Sequence, residues 1–480
     1  MPPIGVDEWV ARAGERIERR AGPLAPVLRQ LEGLPPWAWL AIAAGVAALF
    51  PLLTDSDFAL RVGVNALLLA MLALGLNVVV GWAGLLDLGY IAFYGFGAYA
   101  FALVSSDQLG ENGVHLPAWL SIPAIMVAAA LVGLLLGLPS RRLVGDYLAI
   151  VTLFFGQVFV ELVVNLDRVR LPGADEPVSL TGGPNGIPGV DPISVLGTEI
   201  ITPRGYFYLL LVITVLLMAG LYLLDHSRTG RAWRAVREDA LAASFMTIPV
   251  NRVKLMAFAF GAAIAALAGS IFAAVQAGVF PQSFETPFLI LIYAALILGG
   301  AGSIAGAVLG AVVVSVTLEL LRNPDQASAL FYGVVLLTLA TRLRPWRLLA
   351  AVLGATVALG LVAHAVAAAV APDLTAGEPA LRGWAGAALD AWLVLPEHAA
   401  TAGNWAFVAL VCGVLATTLL APRLRPLAIV PLLYVAAFAW EARLVGEPAI
   451  TRQLLLGALL VVMMTWRAHG LLGSRRVEVL

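Results

Sequence analysis

Long apolar segments dominate this chain and constrain its fold more than any other feature. A helix that crosses a bilayer needs about 20 apolar residues, because each residue rises about 1.5 Å across roughly 30 Å of hydrocarbon. Many windows of the 480-residue sequence pass this test. Backbone polar groups inside lipid must be hydrogen-bonded within their own segment, so these windows have to be helical. The sequence therefore predicts an all-α, polytopic helical bundle in a membrane.

The apolar windows predict about ten core transmembrane helices and about four weaker C-terminal ones. The core spans are expected near 36–53, 58–80, 85–106, 117–138, 146–165, 206–224, 255–276, 288–301, 304–321 and 327–341. The weaker spans are expected near 348–370, 403–421, 427–441 and 451–466. The predicted organisation is an Arg-rich cytoplasmic segment at 1–35, a core at 36–347, an extra hydrophobic insertion or repeat of unknown role at 348–453, and a last helix with a cytoplasmic tail at 454–480.

The composition excludes several classes of protein. Hydrophobic residues make up 61% of the chain and charged residues 12%, whereas a soluble domain carries roughly 25% charged residues. The formal net charge is −1, so no basic surface for nucleic acid is expected. The single cysteine, Cys412, and five scattered histidines have no metal-ligand spacing, so no metal site is predicted.

The single lysine of the chain excludes a phosphate-binding loop. Such a loop needs Gly-Lys followed by Ser or Thr, but Lys254 lies between Val253 and Leu255. We also find no zinc-protease or nucleophile-elbow motif and no convincing catalytic triad. The sequence therefore predicts a transport subunit that is not an enzyme and binds no cofactor, so energy for uphill transport would come from another chain.

The basic residues of the predicted loops indicate the orientation. Cytoplasmic loops of membrane proteins carry an excess of Lys and Arg. If the N-terminus is cytoplasmic and the core spans alternate, 16 basic residues up to residue 347 fall on the inner side and 5 on the outer side. The outer ones are Arg61, Arg168, Arg170, Arg204 and Arg322. The charge distribution predicts a multi-pass protein with a cytoplasmic N-terminus and a cytoplasmic 225–252 loop.

The segment 75–99 is rich in glycine at membrane depth and contains a carboxylate, Asp87. Such glycines allow helices to approach closely or to break beside a cavity. Asp87 has two interpretations: it caps a helix near the cytoplasmic interface, or it lines the solute path. From their position alone, we predict that the path is lined by Asn77, Asp87, Tyr90 and Tyr94.

Two loops are candidates for contacts with partner proteins. In the inner loop 225–252, Arg231, Arg234 and Arg237 recur every three residues beside an apolar face, which indicates a short amphipathic helix. That helix is either a headgroup-bound surface helix or a coupling helix in a groove of a cytoplasmic partner. The outer loop contains Thr181, Gly182, Gly183, Pro184, Asn185 and Gly186. Its length and tight turns favour either a docking surface for a solute-binding protein or a structural plug.

In combination, these motifs resemble those of the LivM-type permeases of branched-chain amino acid ABC importers. The matching segments are GLNVVVGWAGLLDLGYIAFYGFGAY at 75–99, GDYLAIVTLFFG at 145–156, LTGGPNGI at 180–187, GRAWRAVREDALAASFMTI at 230–248, KLMAFAFGAAIAALAGSIFA at 254–273 and ILGGAGSIAGAVLGA at 297–311. The resemblance covers roughly residues 58–345, in the order of the family. Its ending resembles both 330–349 and, more closely, 454–473.

The resemblance implies a subunit of the bacterial inner membrane that acts with several partners. These would be a second, LivH-like permease, two cytoplasmic ATPase subunits that use ATP, and an extracytoplasmic solute-binding protein. It places the contact with the ATPases at 231–247, which gives the coupling residues Arg231, Arg234, Arg237, Glu238, Asp239 and Ala243. Thr247 stands where the family usually has glycine.

The leading hypothesis is a permease subunit for branched-chain or related small amino acids. A zwitterionic aliphatic solute needs no strong fixed charge along its path, which agrees with the few ionisable residues at membrane depth. One alternative keeps the importer and changes the solute to urea or short amides. Another alternative, of a different class, is an ion-coupled secondary transporter that acts alone.

Overall fold

The structure is a computed structural model that describes most of the chain. The described residues are 36–109, 115–138, 146–167, 169, 179–195, 197–343, 345–397, 399–419, 425–446, 451, 453, 455, 457 and 470–472. The predicted Arg-rich segment 1–35 and most of the predicted last helix and tail lie outside the described residues, as do Arg168 and Arg170 of the outer loop.

Sixteen α-helices account for most of the described residues, which confirms the all-α polytopic fold. They are α1 Pro36–Leu53, α2 Asp57–Leu76, α3 Tyr90–Val104, α4 Ala118–Gly137, α5 Asp146–Asn165, α6 Pro203–His226, α7 Arg228–Glu238, α8 Ala240–Phe245, α9 Val250–Gln276, α10 Thr286–Gly299, α11 Ile304–Leu320, α12 Pro324–Arg342, α13 Trp346–Val370, α14 Gly383–Asp390, α15 Ala400–Leu419 and α16 Arg425–Gly446. A π-helix, Asn77–Trp82, continues α2.

Among the described residues, fewer helices could cross a membrane than the apolar windows of the sequence predict. Within the described part of the chain, eight helices are long and apolar enough to cross a membrane. A ninth span results if α11 and α12 count as one, because their axes meet at 118° across a short break. The sequence predicted two separate spans there. The predicted span 85–106 is also shorter, since α3 begins only at Tyr90 and residues 84–87 are not helical.

The core lies between α2, α9 and the helices around them. The most apolar windows of the two spans that contain α2 and α9 are 83% and 72% buried, whereas those of α4, α5 and α6 are 28% buried. Glycine allows α3 and α9 to touch. A Cβ on Gly269 would lie 3.0 Å from the carbonyl carbon of Tyr94 and 2.9 Å from the amide nitrogen of Ala98. The backbones of α3 and α9 are therefore in direct contact.

The predicted docking loop is attached to the end of α9 by a short ladder. Strand β1, Ile187–Pro188, pairs antiparallel with β4, Gly278–Val279. Strands β2, Ser194–Val195, and β3, Thr198–Glu199, form a hairpin that leads into α6. Because α6 has 24 residues and so spans about 36 Å, this loop and α7 lie at opposite ends of the bundle.

The segment after α12 contacts the preceding helices at two places. Trp440 of α16 stacks on Phe331 of α12, with ring centroids 4.3 Å apart. Beyond α16, residues 470–472 return to the end of α10, where Leu471 and Leu472 donate backbone hydrogen bonds to Leu298 and Gly299. The role of 348–453 stays open, but its helix α16 packs on α12.

Candidate functional site

The amphipathic segment predicted in the 225–252 loop forms two short helices, α7 and α8, between α6 and α9. Helix α7 begins after Ser227, whose hydroxyl accepts hydrogen bonds from the amides of Thr229 and Gly230 at 3.2 and 3.3 Å. Such a side chain at the N-cap stabilises a helix by about 1 kcal/mol. One face of α7 is buried through Gly230, Trp233 and Val236. We call α7 and α8 together the coupling segment, after the role that the family resemblance predicts for 231–247.

Trp233 fixes the coupling segment to the bundle. Its side chain is fully buried, and its indole nitrogen donates a hydrogen bond of 2.7 Å to the carbonyl of Val253 in α9. Its ring stacks on Trp82 at the end of the π-helix, with centroids 6.1 Å apart, and meets Phe260 edge-on at 5.8 Å. A buried tryptophan with a satisfied N–H is a strong anchor, so α7 is fixed to the bundle along this face.

The three arginines of α7 have different environments. Arg231 donates to the carbonyl of His226 at 2.7 Å, and Arg234 donates to the carbonyl of Asp225 at 2.9 Å, so both side chains cap the end of α6. Arg237 turns inward, and its guanidinium group donates to the carbonyl of Gly81 in the π-helix. The sequence analysis named all three as coupling residues, but only Arg231 and Arg234 lie on the exposed side of α7.

Helix α8 presents an exposed apolar surface. Asp239 caps it, since one carboxylate oxygen accepts hydrogen bonds from the amides of Leu241 and Ala242 at 2.8 and 2.9 Å. Ala243 faces inward and is buried, while Glu238 is exposed. The surface is formed by Leu241, Phe245 and Met246, which are 68%, 79% and 77% exposed, and we call it the apolar tip. Large apolar side chains grouped at such exposure mark a surface for a protein partner or for the membrane.

The four residues predicted to line the path are all buried within the bundle. Asn77 accepts a hydrogen bond of 2.7 Å from the amide of Gly302, and the Tyr90 hydroxyl donates to the carbonyl of Leu72 at 3.0 Å. Tyr94 is enclosed by the rings of Phe272, Phe284 and Phe288, with centroids within 5.7 Å. Their role along a path stays a prediction. The structure does not bring the four together around a cavity that it describes.

Asp87 lies just before α3, and its carboxylate accepts a hydrogen bond of 3.0 Å from the amide of Gly89. Its backbone carbonyl accepts one of 2.7 Å from the Tyr293 hydroxyl, and the adjacent amide of Leu88 donates to Thr152 at 2.9 Å. The carboxylate thus stabilises the turn that precedes α3, whose N-cap is Gly89 and has no side-chain cap. The capping and path-lining interpretations of Asp87 both stay predictions.

The outer loop at 181–186 is held rigidly. The Thr181 hydroxyl donates a hydrogen bond of 2.6 Å to the carbonyl of Val163 at the end of α5. Gly182, Gly183 and Gly186 all have positive φ, which produces a compact turn that side chains would strain. Pro184 and Asn185 are the exposed members of this motif, so a docking partner would touch these two.

Sequence reasoning missed three features that need tertiary contacts. A turn at 300–303 joins α10 to α11 and touches both Arg237 and the π-helix. His115 bridges Asp107 and Asp191 at the end of the bundle that carries the 181–186 loop. Glu441 is fully buried and accepts a hydrogen bond from Ser328. For the turn alone the sequence held a partial signal: Arg237, which contacts it, shares a helix face with the buried positions 230 and 233.

The fold and these features define a polytopic helical membrane protein with a rigidly attached amphipathic helix pair at one end of its bundle. Residues 58–341 match the family described as the branched-chain amino acid transport system / permease component. The chain belongs to this family. That match confirms the resemblance found in the motifs.

Individual proteins of this family are also similar to the chain. The high-affinity branched-chain amino acid transport system permease protein LivM of Escherichia coli is 37% identical over 286 residues, which cover 55% of this chain and 63% of that protein. The LivH permease protein of the same system is 28% identical over 260 residues, 52% of this chain and 79% of LivH. The chain thus spans somewhat less than two thirds of the LivM relative. No solved structure matches the chain.

Proposed function

We propose that this chain is the membrane permease subunit of an ABC importer for branched-chain or related small amino acids in the bacterial inner membrane. Its partners would be a LivH-like second permease, two cytoplasmic ATPase subunits and an extracytoplasmic solute-binding protein. The family and the similarity to both LivM and LivH support an importer with two different permeases.

The observation that carries the proposal is the build of the coupling segment. Trp233 attaches α7 firmly to the bundle, while the apolar tip of α8 projects from it. A helix that only lies in headgroups needs no such anchor, whereas a helix that transmits force between subunits does. An exposed apolar surface of three side chains fits a groove in a partner, as amphipathic helices do.

Reconstitution tests the proposal and its alternative. The complex of this chain, the second permease and the ATPases is placed in proteoliposomes with the solute-binding protein, and uptake of labelled leucine is measured. The proposal expects uptake that requires ATP. Uptake through this chain alone, driven by an ion gradient, would support the secondary transporter and contradict the proposal. Competition between leucine and urea then identifies the class of solute.

A pair of neighbouring variants tests the apolar tip. We expect Phe245→Asp to abolish binding of the ATPases, because it places a charge in the centre of the contact. Ser244→Asp is the matched control, since Ser244 is also exposed on α8 but is not part of the tip. Equal retention of the ATPases by both variants in a pull-down would show that the tip is not the contact.

The orientation is tested by single cysteines in a Cys412→Ser background. The proposal places α7 in the cytoplasm and the 181–186 loop outside. A membrane-impermeant maleimide added to intact cells should label a cysteine at Asn185 and not one at Glu238, both of which are exposed. Labelling at Glu238 from outside would reverse the topology and remove the basis for a coupling role.

A further inference from the structure

The turn between α10 and α11, residues 300–303, lies where the coupling segment and two interrupted helices meet. Its residue Gly302 has φ of 95° and donates its amide to Asn77 at 2.7 Å, while its carbonyl accepts the indole N–H of Trp82 at 3.2 Å. Both partners belong to the π-helix that continues α2. The α10–α11 turn is therefore tied to the π-helix through both polar groups of one glycine.

Arg237 joins the coupling segment to the same place. Its guanidinium group donates to the carbonyl of Gly81, which lies in the π-helix between Asn77 and Trp82. A Cβ on Gly302 would lie 3.1 Å from Nη1 of Arg237, and a Cβ on Gly81 would lie 2.7 Å from the amide nitrogen of Gly302. Arg237 of α7 thus lies against both the π-helix and the α10–α11 turn.

The chemistry explains why an arginine fits this position. The carbonyls at the end of a helix lack intrahelical partners. Here the amide of Leu85 donates to Val79 and not to Gly81, so the Gly81 carbonyl is free to accept the guanidinium group. Hydrogen bonds from a charged donor are stronger than neutral ones, and Arg holds its donors in a fixed plane. Gly84, with φ of 68°, lets the side chain pass, because a Cβ there would lie 2.8 Å from its Cγ.

The tryptophan pair makes the link stiff. Trp82 bonds to the turn through its N–H and stacks on Trp233 of α7, so the indole of Trp82 lies between the coupling segment and the α10–α11 turn. A tilt of α7 therefore cannot occur without displacing the Gly81 carbonyl, the Trp82 ring or both. Packed interiors pass on such shifts because they do not compress.

We propose that the α10–α11 turn receives the movement of α7 through Arg237 and Trp82, which makes Arg237 a positioning residue of the coupling machinery rather than a contact of the ATPases. The inference rests on the proposed function, and it specifies how a push on the apolar tip reaches the transmembrane helices. Both helices that flank the turn, and the π-helix, would change their relative tilt when α7 moves.

The test compares charge removal at two arginines of the same helix. Arg237→Gln should lower the amount of leucine transported per ATP hydrolysed by at least about tenfold, while the ATPases stay bound and hydrolyse ATP at a similar basal rate. Arg228→Gln is the control, because Arg228 is exposed at the start of the same helix and lies outside the predicted ATPase contact at 231–247. It should stay within about twofold of the wild type, and Arg237→Lys should restore part of the ratio.

A second variant covers the case in which Arg237→Gln fails to assemble. Trp82→Phe keeps an aromatic ring on Trp233 but removes the N–H that holds Gly302, so it should lower the same ratio by about threefold. Trp119→Phe, at an exposed position, should not change it. A working wild-type complex in which Trp82→Phe and Arg237→Gln leave the ratio unchanged overturns this inference alone. A wild-type complex without ATP-driven uptake overturns the proposed function.

Discussion

Thr247 closes α8 in a backbone conformation that suits glycine. Its φ is 64°, its amide donates to Ser244, and the amide of Ile248 donates to Ala243, which is the hydrogen-bond pattern of a Schellman motif. The resemblance to the LivM-type family implies glycine at this position. For a β-branched residue the left-handed conformation costs about 1–2 kcal/mol.

We therefore expect Thr247→Gly to stabilise the protein by about 0.5–1 kcal/mol, because relief of the strain outweighs the extra backbone entropy of glycine in the unfolded chain. The measurement is the thermal unfolding temperature in detergent. Ala242→Gly, at an exposed position within α8, is the control and should lower that temperature. A decrease with both variants would show that the threonine side chain stabilises the motif.

His115 links two connections at the end of the bundle opposite to α7. Its ring nitrogens lie 2.6 Å from Asp191 and 3.1 Å from Asp107, and hydrogen bonds to these carboxylates raise the pKa of His115 above 6.5. The stabilisation is thus fully present below about pH 6.5 and is lost as the pH rises through the raised pKa. The charged ring can donate to both carboxylates, whereas the neutral ring can donate to only one.

His115→Asn should therefore destabilise the protein more at pH 5.5 than at pH 8.5. Asparagine is the suitable replacement because φ of His115 is 37°, a region that asparagine tolerates. Thermal unfolding of both proteins at the two pH values measures the difference, with His226→Asn, at an exposed position, as control. A difference that is independent of pH would mean that the ion pairs contribute nothing.

For single residues, the sequence indicates candidate positions better than it indicates the contacts of their side chains. The sequence suggested that Asp87 caps a helix, but its carboxylate accepts a hydrogen bond from the amide of Gly89 and none from the first turn of α3. Arg237 shares a helix face with 230 and 233, but the equal spacing of the arginines at 231, 234 and 237 does not show which of them turns toward the π-helix. Only the packing of α7 on the π-helix separates Arg237 from the other two.

At the scale of elements, helices are predictable and their interruptions are not. Apolar windows located nearly every helix of the core, because only helices satisfy backbone groups in lipid. Hydropathy does not reveal the non-helical residues before α3 or the 118° angle between α11 and α12. Close helix contacts depend on glycine in the same way: a Cβ on Gly306 or Gly310 would lie 2.6 or 2.7 Å from backbone atoms of Gly299 in α10.

Helix α16 is held on α12 by a buried carboxylate. The two oxygens of Glu441 accept hydrogen bonds of 2.7 Å from the Ser328 hydroxyl and from the amide of Ala380, and Trp440 also donates to Ser328. One side chain therefore joins α12, α16 and the 371–382 connection. An acceptor removed from such a site leaves buried donors without partners, at a cost of about 1–3 kcal/mol each.

Glu441→Leu should consequently loosen the 371–382 connection and speed tryptic cleavage after Arg382, which is exposed and donates its amide to Asp325 at 2.8 Å. Glu441→Gln keeps one acceptor and should be intermediate. Glu397→Leu, on an exposed carboxylate, is the control. Cleavage at the wild-type rate in Glu441→Leu would mean that the aromatic stack alone holds α16.

Across the whole molecule, chain segments far apart in sequence meet at the α10–α11 turn. Trp82 and Arg237 reach it from the π-helix and from the coupling segment, and Leu471 bonds to the end of α10 beside it. Family resemblance and hydropathy predicted the bundle and the coupling segment but not this meeting point. Contacts between residues more than 150 positions apart are a property of the tertiary fold, which a single sequence does not display.

Gly470 provides the test of this arrangement at the scale of the molecule. It has φ of 72°, and a Cβ there would lie only 2.5 Å from the Cα of Gly300. Gly470→Ala should therefore displace the 470–472 segment from α10, leave the carbonyls of Leu298 and Gly299 without their donors, and lower the thermal unfolding temperature. Gly457→Ala is the control, because nothing lies within 4 Å of its Cβ position. If the two variants unfold at the same temperature, the 470–472 segment does not stabilise the end of α10. If only Gly470→Ala is less stable, the 470–472 segment stabilises the end of α10, which adjoins the α10–α11 turn.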